Sequence, residues 1–185
     1  MMPHPNAHRR FTFTIDAADC IEQTHRHWDE FAIANGAEYL PSLVMGAPLM
    51  DFICGESVKR STGRILEAVR ADGVTRHYPF RCDSTTAIRK MEMEVSLLPE
   101  GRLRLQSRII RQESRPAARL IQTSDRIEPT DLLLCSNCRM AKQGGVWIEE
   151  TDVDAPVWAA SLVAQPELCP TCTDLMEGIA LHQAA

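Results

Sequence analysis

The sequence predicts an α+β chain with a small module at its C-terminal end, and three observations carry that prediction. Met91, Met93, Val95 and Leu97 alternate with Lys90, Glu92, Glu94 and Ser96, the two-residue period of a strand with one buried face. Val58, Thr62, Ile65, Leu66 and Val69 recur at helical spacing and form one packing face. Two Cys-x-x-Cys pairs, Cys135 with Cys138 and Cys169 with Cys172, occupy the last third. Each is spaced so that a single turn aims both sulfurs at one point. With 185 residues, 44% hydrophobic and 24% charged, the chain has material for one core and a satellite.

Taken in order, Phe11 to Ile15 alternates as a strand, and Cys20 to Thr24 is a shorter strand after a polar turn. From His25 the pattern turns helical, with Trp28, Phe31 and Ala32 on one side and Asn35-Gly36 as the stop. Turns at Pro41, Gly46 and Pro48 lead to the apolar patch Leu49 to Cys54. The long helix around Val58 to Val69 carries Lys59, Arg60, Arg64 and Arg70 on what reads as its solvated side, and Gly73 ends it. Val74 to Cys82 is β-rich but contains Pro79, which has no N–H for a ladder, so this strand belongs at a sheet edge. Leu103, Leu105 and Ile109 alternate with Arg104, Gln106 and Arg108, and Pro99-Glu100-Gly101 makes a hairpin with the preceding strand. Pairing Leu97 with Leu103 puts Val95 opposite Leu105 and Glu92 opposite Arg108, so one register satisfies both faces.

In the tail, Gly144-Gly145 sits between two short extendable runs and predicts a tight hairpin. Leu175, Met176, Ile179 and Ala180 form the apolar stripe of a helix started by the second Cys pair. Knuckle, hairpin and helix in that order resemble a treble-clef zinc module. Four thiolates complete the tetrahedral shell that Zn²⁺ prefers, so Cys135, Cys138, Cys169 and Cys172 read as one structural zinc site. Paired disulfides are one rival, weakened by the polar stretch Met1 to Asn6, which no apolar signal core follows. A thiol-redox pair is another, weakened by the lack of a thioredoxin-like βαβ context. Cys20, Cys54 and Cys82 read as small core residues.

The net charge of −5 is uneven. Residues 130–185 hold eight acidic side chains against Arg139 and Lys142, a net of −6, which leaves +1 for the first 129. Four thiolates around one zinc ion add about −2 more. Phosphate binding needs a basic face, so this acidic module speaks against nucleic acid as a partner. No apolar run is long enough to span a bilayer, and the cytoplasm is the expected location. The sequence holds no phosphate-binding Gly-rich loop, no Gly-x-Ser-x-Gly elbow, no His-Glu-x-x-His and no kinase signature. His25, His27, His77 and Cys82 are the only metal or nucleophile elements outside the tail and show no supporting partner, so catalysis is not expected.

The stretch Trp28-Asp29-Glu30-Phe31-Ala32 with Asn35-Gly36, then Asp51-Phe52-Ile53 with Gly55, then Phe80-Arg81-Cys82-Asp83-Ser84, then Met91-Glu92-Met93, resembles a PAS-like group of bacterial sensor proteins. Some of that group carry a similar tail. The resemblance implies a five-stranded antiparallel sheet of order 2-1-5-4-3 with helices over one face, giving a sensory domain at 10–112, a linker at 113–130 and the zinc module at 131–183. PAS domains bind haem, flavin or metabolites, or only dimerise. Neither haem nor flavin is expected here, because Cys54 lacks the Asn-Cys-Arg context of flavin photosensors and the long helix has no histidine.

Met91, Met93, Trp28, Phe31, Tyr78 and Phe80 are candidate walls of a small-molecule cavity, or else packed core. Arg81, Asp83 and Arg89 either bind an anion or pair with one another on the surface. Arg111, Arg115, Arg119 and Arg126, around Pro116, are either solvated or docked on the acidic module. The expected function is a non-catalytic cytoplasmic signalling or adaptor protein acting through a protein partner or a homodimer. The alternative is a thiol-based redox sensor or oxidoreductase using the same cysteines. As separate units, the sheet domain is expected to stay folded when Cys135 or Cys172 is lost.

Overall fold

The computed structural model describes residues 9–115, 120–125, 132–154 and 162–181. Strands β1 (Arg10–Ile15) and β2 (Ile21–Thr24) precede helix α1 (Arg26–Ala34) and the single turn α2 (Leu40–Leu43). The long helix α3 (Glu56–Asp72) leads into β3 (Arg76–Arg81), β4 (Ala87–Leu97) and β5 (Leu103–Ser114). These five strands form an antiparallel sheet of order β2-β1-β5-β4-β3. Pro79 lies in β3, at the edge where a missing N–H costs no ladder bond.

The register follows side-chain chemistry on both faces. Leu97 pairs with Leu103, Val95 with Leu105 and Glu92 with Arg108. Phe11, Ile15, Met91, Val95, Leu103 and Leu105 are buried beneath the helices. The opposite face carries polar pairs, among them Arg108 donating to Glu92 at 2.7 and 2.9 Å and Gln106 donating to Thr12 at 2.9 Å. The amphipathic face of α3 buries Val58, Thr62, Ile65, Leu66 and Val69, and Gly73 closes the helix at φ 71°, a left-handed position that favours glycine. Arg70 departs from the solvated side expected of it. Its guanidinium donates to Gly101 O at 2.9 Å, Asp16 O at 3.0 Å and Asp19 Oδ1 at 2.6 Å, tying the helix end to two turns.

The second sheet has order β6-β10-β7-β8-β9 and joins β6 (Gln122–Thr123), β7 (Leu133–Cys135), β8 (Met140–Gln143), β9 (Val146–Glu149) and β10 (Val163–Glu167). Helix α4 (Pro170–Leu181) follows. Gln143 pairs with Val146 across Gly144 (φ 58°) and Gly145 (φ 86°), so both central residues of the hairpin loop are left-handed, as the expected Gly-Gly turn requires. β6 and β10 were not expected. β6 is too short to show a period, and β10 contains Pro166. That proline fits because β10 bonds to β7 through Gln165 and Glu167, which leaves the nitrogen of Pro166 facing away from β7.

Two expectations need correction. The segment 113–130 is not a solvated linker throughout, since it completes β5, buries Arg115 and contributes β6. The two halves also share one core, in which Ile15, Val69, Tyr78, Val95 and Leu103 cluster with Cys135, Leu168, Cys169, Cys172 and Met176. Of the three cysteines read as core, Cys20 and Cys82 are partly buried and Cys54 is exposed.

Gly55 marks how closely the halves approach. At φ 93° it caps α3, its N–H donates to Asp125 Oδ1 at 3.0 Å, and a Cβ there would lie 3.1 Å from Cβ and O of Pro166. Gly55→Ala is expected to lower the unfolding free energy by about 1–3 kcal/mol through backbone strain and this clash. Urea denaturation measures it, and an unchanged midpoint would refute the close approach.

Candidate metal centre

The four sulfurs come from two local devices. Cys135 ends β7, and the chain turns through Ser136 and Asn137 to Cys138, with Arg139 N donating to Cys135 O at 2.8 Å. Arg139 closes this knuckle at φ 61°, a left-handed conformation unusual for a residue with a Cβ. Its guanidinium bonds to Glu150 at 2.7 and 2.8 Å and to Ile121 O at 2.7 Å, which offsets the strain. The second pair sits at the start of α4. Cys169 O accepts from Thr173 N at 2.9 Å, so Pro170 takes the first helical position, where its missing N–H is harmless. Cys172 then lies in the first turn, where the helix dipole favours negative sulfur.

Cys135, Cys138, Cys169 and Cys172 place their sulfurs within 4.8 Å of one another and can hold a metal ion. The Cys138 and Cys169 sulfurs are 3.7 Å apart. A regular tetrahedron with Zn–S bonds of about 2.3 Å has edges of about 3.8 Å, so the spacing is consistent with zinc. Surrounding donors also suit thiolates: Asn137 Nδ2 lies 3.4 Å from Cys172 Sγ, and Cys169 N lies 3.4 Å from Cys135 Sγ. Hydrogen bonds from Cys138 and Cys172, then from the backbone N–H groups of Cys138 and Cys169, hold the Cys135 thiol far below its usual range. Sharing those protons pushes Cys138 up and Cys172 up to about 12. A cation that replaces the shared protons lets all four sulfurs ionise together.

Beside the sulfurs lies a buried charge network that joins the two halves. Asp83 and Arg115 have no exposed side-chain surface and pair at 3.0 Å. Asp83 also pairs with Arg81 at 2.6 Å and with Arg139 at 3.8 Å, and its Oδ1 accepts the Arg89 N–H at 3.0 Å. Arg115 reaches on to Glu150 at 3.1 Å, and Arg81 to Glu149 at 2.9 Å. The edge of β3 is tied directly to the knuckle, with Arg81 N donating to Asn137 O at 2.8 Å.

The other sequence candidates fall elsewhere. Arg81 and Asp83 do pair, but in the interior rather than on the surface. Arg89 stacks 5.3 Å from the centre of the Phe31 ring and donates to Cys82 O at 3.2 Å. Arg115 docks on the acidic module, Arg111 pairs with Glu113 on the surface, and Arg119 and Arg126 lie outside the described residues. Trp28, Phe31 and Met91 are packed with Phe11 and Ile109, while Tyr78, Phe80 and Met93 line a cleft. His25, His27 and His77 are exposed and join no metal-ligating cluster among the described residues. Burial pushes the Cys82 thiol up, away from a nucleophile's range. Sequence reasoning passed over Glu150, whose only signal was an acidic pair after the hairpin.

No family model and no curated protein matches the chain. No helix among the described residues is long and apolar enough to cross a membrane.

The charge network has two measurable consequences. Asp83→Asn leaves three arginines short of a buried partner and is expected to cost about 3–5 kcal/mol of stability at pH 7 by chemical denaturation. A loss within error would mean that the network carries no weight. Glu150 supplies a pH dependence. Burial alone would raise its pKa, but the hydrogen bonds and charge of Arg139, the Ile121 N–H and the Arg115 charge hold it below the usual 4.5. A depressed carboxyl contributes its full stability above its unfolded pKa and loses it as pH falls through the folded value. Glu150→Gln is therefore expected to flatten the fall of unfolding free energy below about pH 4.5. Parallel acid limbs in the two proteins would exclude this contribution.

Proposed function

We propose that the chain is a non-catalytic cytoplasmic signalling or adaptor protein, a PAS-like sensor sheet fused to a treble-clef-like structural zinc module, which acts through a protein partner or a second copy of itself. The observation that carries the reading is the four-sulfur cluster built into the shared core. Four protein ligands leave a zinc ion no open position for a substrate or water, which fits a structural role. The strand order and the helices over one face support the PAS-like reading. Ile33, Tyr39, Leu43 and Met45, at 46–67% exposure on α1, α2 and their flanking turns, offer apolar surface for a partner. The redox alternative draws on the lowered Cys135 thiol. Against it, Cys135 has no exposed surface, whereas reactive cysteines are reached by solvent.

Native mass spectrometry is expected to find about one zinc per chain. Because the sulfurs belong to the shared core, Cys172→Ser is expected to remove the metal and to unfold both halves in a single transition. Fluorescence of single-tryptophan variants, with Trp158 replaced by Phe, separates the outcomes, since Trp28 packs edge-on to Phe13 at 6.1 Å in the sheet half and Trp147 lies in β9. Native Trp28 emission alongside a lost Trp147 signal would restore independent units. A metal-free, fully folded protein that forms reversible disulfides with peroxide would favour the redox reading.

A further inference from the structure

A cleft of about 390 Å³ opens where the two halves meet, a size typical of small-molecule sites. Val58, Tyr78 and Met93 line it from the sheet half, and Leu134, Ser136 and Asn137 from the metal half. It is distinct from the space between α3 and the sheet, which Ile65, Leu66, Val95 and Leu103 fill with almost no exposure.

Two of its hydroxyls make no hydrogen bond among the described residues. Ser136 Oγ is buried without a hydrogen bond. The Tyr78 hydroxyl makes none among the described residues, and burial keeps it neutral, with its pKa pushed up to about 12. The Ser136 hydroxyl, buried without a partner, is costly, and a ligand that supplies a partner recovers that cost. Asn137 gives its amide N–H to Cys172 Sγ, which leaves its carbonyl oxygen free to accept. The remaining wall is apolar and polarizable, with the ring of Phe80 and the thioethers of Met93 and Met176. Among the described residues lining the cleft, Arg139 is the charged one, and Glu150 already holds its guanidinium. No free charge is left there among the described residues to pair with an ionised ligand.

We infer that this cleft binds a small, uncharged aromatic molecule bearing a hydroxyl or carbonyl group, its ring against Phe80, Met93 and Met176 and its polar group between Tyr78, Ser136 and Asn137. Such a ligand contacts the residue that hydrogen-bonds a metal-site sulfur, so occupancy and the metal centre are coupled. The inference rests on the sensor reading and names its ligand class. Binding is read on its own resonances, so its failure leaves the zinc and fluorescence measurements of that reading intact.

The test uses the full zinc-loaded chain with methyl-¹³C methionine and 2-naphthol as the probe. Saturable shifts are expected at the Met93 and Met176 methyls, with Met45 unmoved. Tyr78→Phe or Ser136→Ala is expected to weaken binding about tenfold, the loss of one hydrogen bond. 2-Naphthoate, the same ring with an ionised group, is expected to bind at least tenfold more weakly. The inference is overturned if neither methyl shifts, if both variants bind as the parent does, or if the naphthoate binds as tightly as the naphthol.

Discussion

The carboxylate of Asp83 has no exposed surface, and arginines from three separate segments converge on it. Arg81 ends the edge strand, Arg115 follows β5, and Arg139 follows the knuckle. A buried charge is tolerated only when its neighbours replace the lost water completely. Here the replacement alternates in sign, because Arg115 and Arg139 each turn to Glu150 and Arg81 to Glu149. Removing Asp83 takes a buried partner from three arginines at once. The left-handed backbone at Arg139, the covered edge of β3 and the placement of Ile121 all depend on this set.

The sulfur cluster depends on the same join from its apolar side. Cys135, Cys169 and Cys172 are as buried as the leucines and valines around them, and they belong to the core that runs under α3 and the sheet. A structural metal in a small module usually substitutes for a core that the module is too small to build. In this chain the cluster extends an existing core past the sheet edge. Ion pairs and sulfurs therefore hold the same boundary by different physics, one through charge and the other through packing.

Much of this was legible in the residues. The Leu97 to Leu103 register, the edge position of the Pro79 strand, the buried face of α3 and the Gly-Gly hairpin all follow from periods and turn chemistry that act over a few positions. The clustering of the four sulfurs was legible because two spacings and one preferred geometry leave few alternatives. The join was not. Asp83, Arg115 and Glu150 stand 32 and 35 residues apart, and each alone looks like an ordinary surface charge. β10 hides its strand character behind Pro166, which is acceptable only because its nitrogen faces away from β7. Cys54 reads as a core residue from its apolar neighbours, yet lies exposed at the mouth of the turn before α3.

The single core has a consequence for how the chain is made. Tyr78 and Met176 belong to one cluster and α4 packs on α3 and β3, so these two elements wait for α4 before their burial is complete. During synthesis, at roughly 5–20 residues per second, the sheet half emerges many seconds before α4 does. Through that interval Tyr78, Val58 and the edge of β3 are uncovered, and the first Cys pair lacks the second. A ribosome-bound chain of this kind presents a sticky intermediate, with one Cys pair unaccompanied, to chaperones and to stray metal ions. The C-terminal helix thus acts as the step that commits the nascent chain to its fold.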